Sequence, residues 1–118
     1  MGNVFVVNMR TSKESRIIKV DRSTPYGNPF PEKKYGRDQC IDMCMAELYQ
    51  CLTFHKDTQH FKFKVCMNFI QTLAIMLQQG KDVYLGCWCA PLACHGDVWA
   101  KLIKGAATRM EERTWKYV

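Results

Sequence analysis

Apolar positions in this chain change period from two to near four and back, and the changes mark out its elements. Val4-Phe5-Val6-Val7 is an apolar run rich in β-branched residues, too short for a helix, and predicts a buried strand. Ile17-Ile18-Lys19-Val20 repeats the signal after a polar stretch from Arg10 to Arg16, so the two runs are expected to pair as a hairpin or lie as neighbours in one sheet. Between Asp21 and Gly36 the chain carries Pro25, Pro29 and Pro31, which predicts a structured loop without regular helix. Asp38 is placed to cap a helix on which Ile41, Cys44, Met45, Leu48 and Leu52 recur at helical spacing. A second helix fits Phe63, Met67, Ile70, Leu73, Ala74 and Leu77 and stops at Gly80. The polar connection from His55 to His60 predicts that these two helices pack as an antiparallel pair. Asp82 to Cys87 reads as a third strand, and Val98, Trp99, Leu102 and Ile103 as the stripe of a third helix ending near Gly105. The charged tail from Thr108 to Val118 is open to helix, strand or a flexible end.

The order β, β, α, α, β, α predicts a single compact α/β domain spanning 1–118, with a small sheet of about three or more strands and helices packed on it. A Rossmann-like arrangement in three layers or two would fit. The motif-bearing core is expected over 4–103, with 104–118 as a C-terminal extension. A chain of 118 residues leaves little room for a second core, and its 47% hydrophobic content is that of a globular protein. No export signal and no membrane-spanning run is read, so the expected location is the cytoplasm. Seven cysteines, an odd number, suit a reducing compartment better than a disulfide framework. A net charge of +6 favours an anionic partner: nucleotide, nucleic acid or an acidic protein.

The third strand runs straight into Gly86-Cys87-Trp88-Cys89-Ala90-Pro91-Leu92-Ala93-Cys94-His95-Gly96-Asp97. Cys94, His95 and Asp97 fall at the expected start of the third helix, where unpaired backbone N–H groups and the helix dipole attract anions and stabilise a thiolate. Gly86 and Gly96 allow close backbone approach to a ligand. The reading is a pocket for a small anionic or nucleotide-like ligand, with Cys94 as nucleophile, His95 as its acid/base partner and Asp97 as helix cap. In the plain packing alternative, Cys87, Cys89 and Cys94 are small apolar fillers. In a third reading Cys87, Cys89, Cys94 and His95 bind zinc or an iron–sulfur centre, although adjacent Cys94 and His95 are poorly spaced to share one ion. The leading reading requires no cofactor. Cys40, Cys44 and Cys66 read as core.

The second candidate segment is Arg22-Ser23-Thr24-Pro25-Tyr26-Gly27-Asn28-Pro29-Phe30. Gly27 and Asn28 tolerate unusual backbone angles and Pro29 fixes one. Tyr26 and Phe30 offer flat faces, and Arg22 a fork of donors for phosphate. The alternative is a structural turn whose aromatics cover the edge of the core.

Taken together, Tyr26-Gly27-Asn28-Pro29-Phe30, Gly36-Arg37 opening a helix, and the Gly86 to Asp97 turn resemble a "domain of unknown function" family of small proteins found in bacteriophages and actinobacteria. Its marks are a GNPF loop and a GCWCxPxxCHGD turn. The resemblance covers Val4 to about Ile103. A phage origin would imply work in the host cytoplasm on nucleotides, nucleic acid or a host defence. A fainter likeness joins the Cys94-His95 turn to small α/β proteins carrying Cys-His-Arg; Gly96 stands here in place of that arginine.

The expected function is therefore binding of a nucleotide- or nucleoside-type ligand between the two motifs, either with thiol-assisted processing or as sequestration alone. Arg22, Tyr26, Gly27, Asn28, Pro29, Phe30, Arg37, Gly86, Cys87, Trp88, Cys89 and Gly96 would hold the ligand. The alternative is a metal-stabilised module that binds nucleic acid or a host protein, with no enzymatic role.

Overall fold

The apolar runs form β1 (Val4–Asn8), β2 (Ile17–Lys19) and β3 (Val83–Cys87) in a computed structural model that describes residues 1–21, 23–24, 26–28, 32–54, 61–88 and 95–116. All pairing is parallel, in the order β1-β3-β2, with Val6 opposite Leu85 and Ile18 opposite the same residue on the other side. The expected hairpin or neighbouring pair of β1 and β2 is thus corrected, because the last strand in sequence inserts between the first two. Burial explains the choice: Val83, Leu85 and Cys87 are at most 1% exposed, and a strand so apolar belongs at the centre.

Among the described residues four helices accompany the sheet: α1 (Glu32–Tyr35), α2 (Arg37–Phe54), α3 (Phe61–Gln78) and α4 (His95–Lys116). The single turn of α1 corrects the expectation of a helix-free loop before Gly36. Gly36, at φ +80°, then lets the chain turn between α1 and α2. Because α2 begins at Arg37, Asp38 lies inside its first turn, where a carboxylate complements the positive end of the dipole. The predicted stop of α3 holds. The Gly80 amide donates to Leu77 O and the Lys81 amide to Met76 O, each at 3.0 Å, with Gly80 at φ +82°. The stop expected near Gly105 does not occur. Ala106, Ala107 and Met110 continue the buried stripe, and the Ala107 carbonyl accepts from Gln78 Nε2 at 2.6 Å, so packing carries α4 through the glycine.

Strand alternation sorts the sheet into two faces. Val83 and Leu85 join α2, α3 and α4 in one core with Leu48, Phe69, Leu73, Leu77, Trp99 and Ile103. The other face carries Phe5, Val7, Ile17, Tyr84 and Gly86. Phe5 stacks on Tyr84 at 5.3 Å between centroids and remains 42% exposed.

The step from β1 to β2 and the step from β2 to β3 run in opposite directions across the sheet. Right-handed crossovers therefore put them on opposite faces. The helices take the Leu85 face, and residues 9–16 start across the other. Met9 Cγ lies 2.8 Å, and Ile17 Cγ2 2.3 Å, from where a Gly86 side chain would begin. Close approach at Gly86 is thus made by the chain itself. Gly86→Ala should lose about 1–3 kcal/mol in urea unfolding through overpacking against the stiff Ile17; an unchanged midpoint would contradict this packing.

Candidate functional site

Where neighbouring parallel strands send their chains to opposite faces, a crevice opens at their carboxyl ends. Here those strands are β1, which leads onto the helix-free face, and β3, which leads to α4. The side chain of Asn8, the last residue of β1, organises the exit: Oδ1 accepts from the Arg10 amide at 2.8 Å and Nδ2 donates to Trp88 O at 3.2 Å. The Asn8 carbonyl also accepts from the Ser12 amide at 2.9 Å.

Trp88 is the first residue beyond β3 and is 52% exposed, more than any other large hydrophobic side chain among the described residues. Water does not favour a bare indole, yet this one is held. Its Nε1 donates to Asp21 Oδ2 at 3.1 Å, and the Arg10 guanidinium lies 5.7 Å from its ring centroid. Asp21 is itself fixed by the Ser23 hydroxyl and by the Ser23 amide at 3.0 Å. These Ser23 bonds first, then the Trp88 indole N–H and the Lys19 charge, hold the Asp21 carboxyl below its ordinary 3.8. A carboxylate with a depressed folded pKa contributes above its unfolded value and loses that contribution only as pH falls through the folded one. The anchor of Trp88 is accordingly constant throughout the neutral range.

The segment after β2 is a compact turn. Thr24 donates through its amide and Oγ1 to Asp21 O at 3.1 and 2.9 Å, and the Gly27 amide donates to Thr24 O at 3.2 Å. Tyr26 then enters the core: its ring stacks on Phe69 at 3.8 Å and meets the edge of Trp99 at 5.7 Å, while its carbonyl accepts from Trp99 Nε1 at 2.8 Å. Asn28 is 6% exposed and its Nδ2 donates to Cys40 O at 2.9 Å, which ties the loop to the first turn of α2 that Arg37 opens. The side chains of Tyr26 and Asn28 thus have partners within the fold.

His95 opens α4, and its Nε2 bonds to the Val20 carbonyl. Since a carbonyl only accepts, Nε2 carries the proton, and neutral His95 has its lone pair on Nδ1. Gly96 is buried behind it, and Asp97 supplies an acid to the first turn of α4. Cys87 is buried at the end of β3. Three links therefore join the described parts of the two motifs and the residues beside them: Trp88 to Asp21, His95 to Val20, and Trp99 to Tyr26. These described residues lie side by side.

Arg22, Pro29, Phe30, Cys89 and Cys94 lie outside the described residues, and with them half of the proposed metal set. Among the described residues no three metal-ligating side chains gather, and Cys40, Cys44, Cys66 and Cys87 are not in disulfides. Asn8, Arg10 and Asp21 were not singled out from sequence. The signal that could have found them is position: each stands at or just beyond the carboxyl end of a predicted strand.

Fold and crevice define the class, a parallel α/β protein whose candidate site lies at the carboxyl edge of its sheet. Within that class the chain belongs to the family described as Domain of unknown function (DUF4326), whose model matches residues 7–105. Comparison with curated proteins and with solved structures gave no match. No helix among the described residues is long and apolar enough to cross a membrane.

Proposed function

We propose that this crevice binds a nucleotide- or nucleoside-type ligand and that Cys94 supplies a thiol for processing it. The observation that carries the reading is Trp88 at a strand switch point, its large aromatic ring held in the open by Asp21 and its backbone carbonyl by Asn8. A fixed indole face stacks a base, and an exposed Arg10 beside it attracts phosphate. Cys94 directly precedes His95 in the chain. Its thiol would share the positive field at the amino end of α4, a helix of 22 residues, and His95 Nδ1 is the base available to a neighbouring proton. Glycosidic-bond cleavage and base modification are the reaction types that such a thiol and base suit. A phage-encoded protein acting on nucleotides in the host cytoplasm is a setting consistent with this chemistry.

The test is incubation with a panel of nucleosides and nucleotides, reading retained ligand mass and product. At least one member should be retained by wild-type protein. Cys94→Ser should keep that ligand and the fold while losing turnover. A panel with no retained member would refute the binding reading, and full turnover by Cys94→Ser would refute the thiol.

A further inference from the structure

The connection from β1 to β2 carries a charge pattern of which the crevice uses only Arg10. Arg10, Lys13, Arg16 and Lys19 place a cation at every third position from the end of β1 to the end of β2, and all four are exposed. The one acidic residue between them is Glu14, which is half-buried. Of the four, Lys19 lies near enough to Asp21 for its charge to help lower that carboxyl, and Arg10 lies over the Trp88 ring. Extended chain limits neighbouring members of the series to about 10 Å apart, so the charge forms a row and not a point.

That row borders the helix-free face of the sheet, as Met9 against Gly86 shows and as Lys19 opposite Gly86 in the register requires. On the same face lie stacked Phe5 and Tyr84, with Phe5 exposed. Trp88 follows Tyr84 by four positions, about 13 Å along the strand, so its ring stands at the carboxyl end of the same track. Flat aromatic faces beside a line of exposed cations match the bases and the phosphates of a single strand. A duplex has its bases already stacked and cannot offer them.

We infer that the helix-free face binds a single-stranded polynucleotide, its phosphates along Arg10 to Lys19 and its bases on Phe5, Tyr84 and Trp88. The face shares Trp88 and Arg10 with the crevice but needs neither Cys94 nor a free nucleotide.

The test is fluorescence anisotropy with a labelled oligothymidylate of about 12 nucleotides, beside a duplex of equal length. Wild-type protein should bind the single strand more tightly than the duplex, with an affinity that falls as salt rises. The triple variant Lys13→Gln, Arg16→Gln, Lys19→Gln should bind at least tenfold more weakly and flatten the log–log salt slope by about 2. Phe5→Ala should weaken binding about tenfold without altering that slope. All four positions are exposed, and an unchanged circular dichroism spectrum checks the fold. The double variant Lys13→Gln, Arg16→Gln, which leaves Lys19 near Asp21, should weaken strand binding but bind mononucleotide as wild type does, which separates this inference from the crevice: strand binding that survives without mononucleotide binding upholds the face alone. No binding at about 100 μM protein in low salt, equal binding of duplex, or indifference to the triple variant would overturn it. Phe5-dependent self-association in sedimentation, without strand binding, would assign the face to a second copy instead and equally overturn it.

Discussion

Trp99→Ala is expected to remove a large share of the stability of this protein. Trp99 is 1% exposed and packs edge-on against Phe69 at 5.1 Å and Tyr26 at 5.7 Å. Truncating a buried tryptophan costs about 3–5 kcal/mol, against a total stability of about 5–15 kcal/mol for a domain. The Tyr26 carbonyl would also lose the indole N–H that it accepts. In thermal unfolding the midpoint should fall by about 10–20 °C, and ligand binding should fail with it, because Trp99 joins α4 to the turn that carries Asp21. Trp99→Phe keeps a ring and gives up the hydrogen bond, so its loss should be smaller, about 1–2 kcal/mol. Equal losses in the two variants would mean that the bond, and not the packing, carries the site.

Trp88→Ala should do the reverse. This ring is largely in solvent, so its removal should alter the unfolding free energy by no more than about 1 kcal/mol. Stacking of a base on an aromatic side chain is worth about 1–3 kcal/mol, so ligand affinity should fall by about 5-fold to 150-fold. Trp88→Phe retains a stacking face but cannot donate to Asp21, and should fall between wild type and alanine. The pair of tryptophans thus separates stability from binding within one chain. An alanine at 88 that binds as wild type would remove the central support for the crevice.

Which parts of this arrangement could be read from sequence follows from what local pattern encodes. The strands at Val4, Ile17 and Val83, and the stop at Gly80, are properties of a few adjacent residues, and they stand where the pattern put them. Strand order is a property of the whole sheet, and nothing local to β1 and β2 tells them that β3 will come between. Gly105 shows the competition directly: its low helix propensity, a cost of about 1 kcal/mol, is outweighed by burying Ala107 and Met110 on α3 and the core. The same limit governs the site. Unusual composition drew attention to Tyr26 and Asn28, but composition cannot distinguish an aromatic offered to a ligand from one stacked on Phe69. Asn8, Arg10 and Asp21 are ordinary residues in sequence and gain their interest only when parallel pairing brings two strand ends together around Trp88.

The most direct test is to follow the indole N–H signals of the tryptophans by nitrogen-15 correlation spectroscopy while adding the retained nucleotide, with Trp88→Phe to assign its peak. Stacking at the carboxyl edge of the sheet requires the Trp88 signal to move in proportion to occupancy, while that of Trp99, buried and bonded to Tyr26, stays in place. Saturating ligand with an unmoved Trp88 signal would show that binding takes place elsewhere and would contradict the account.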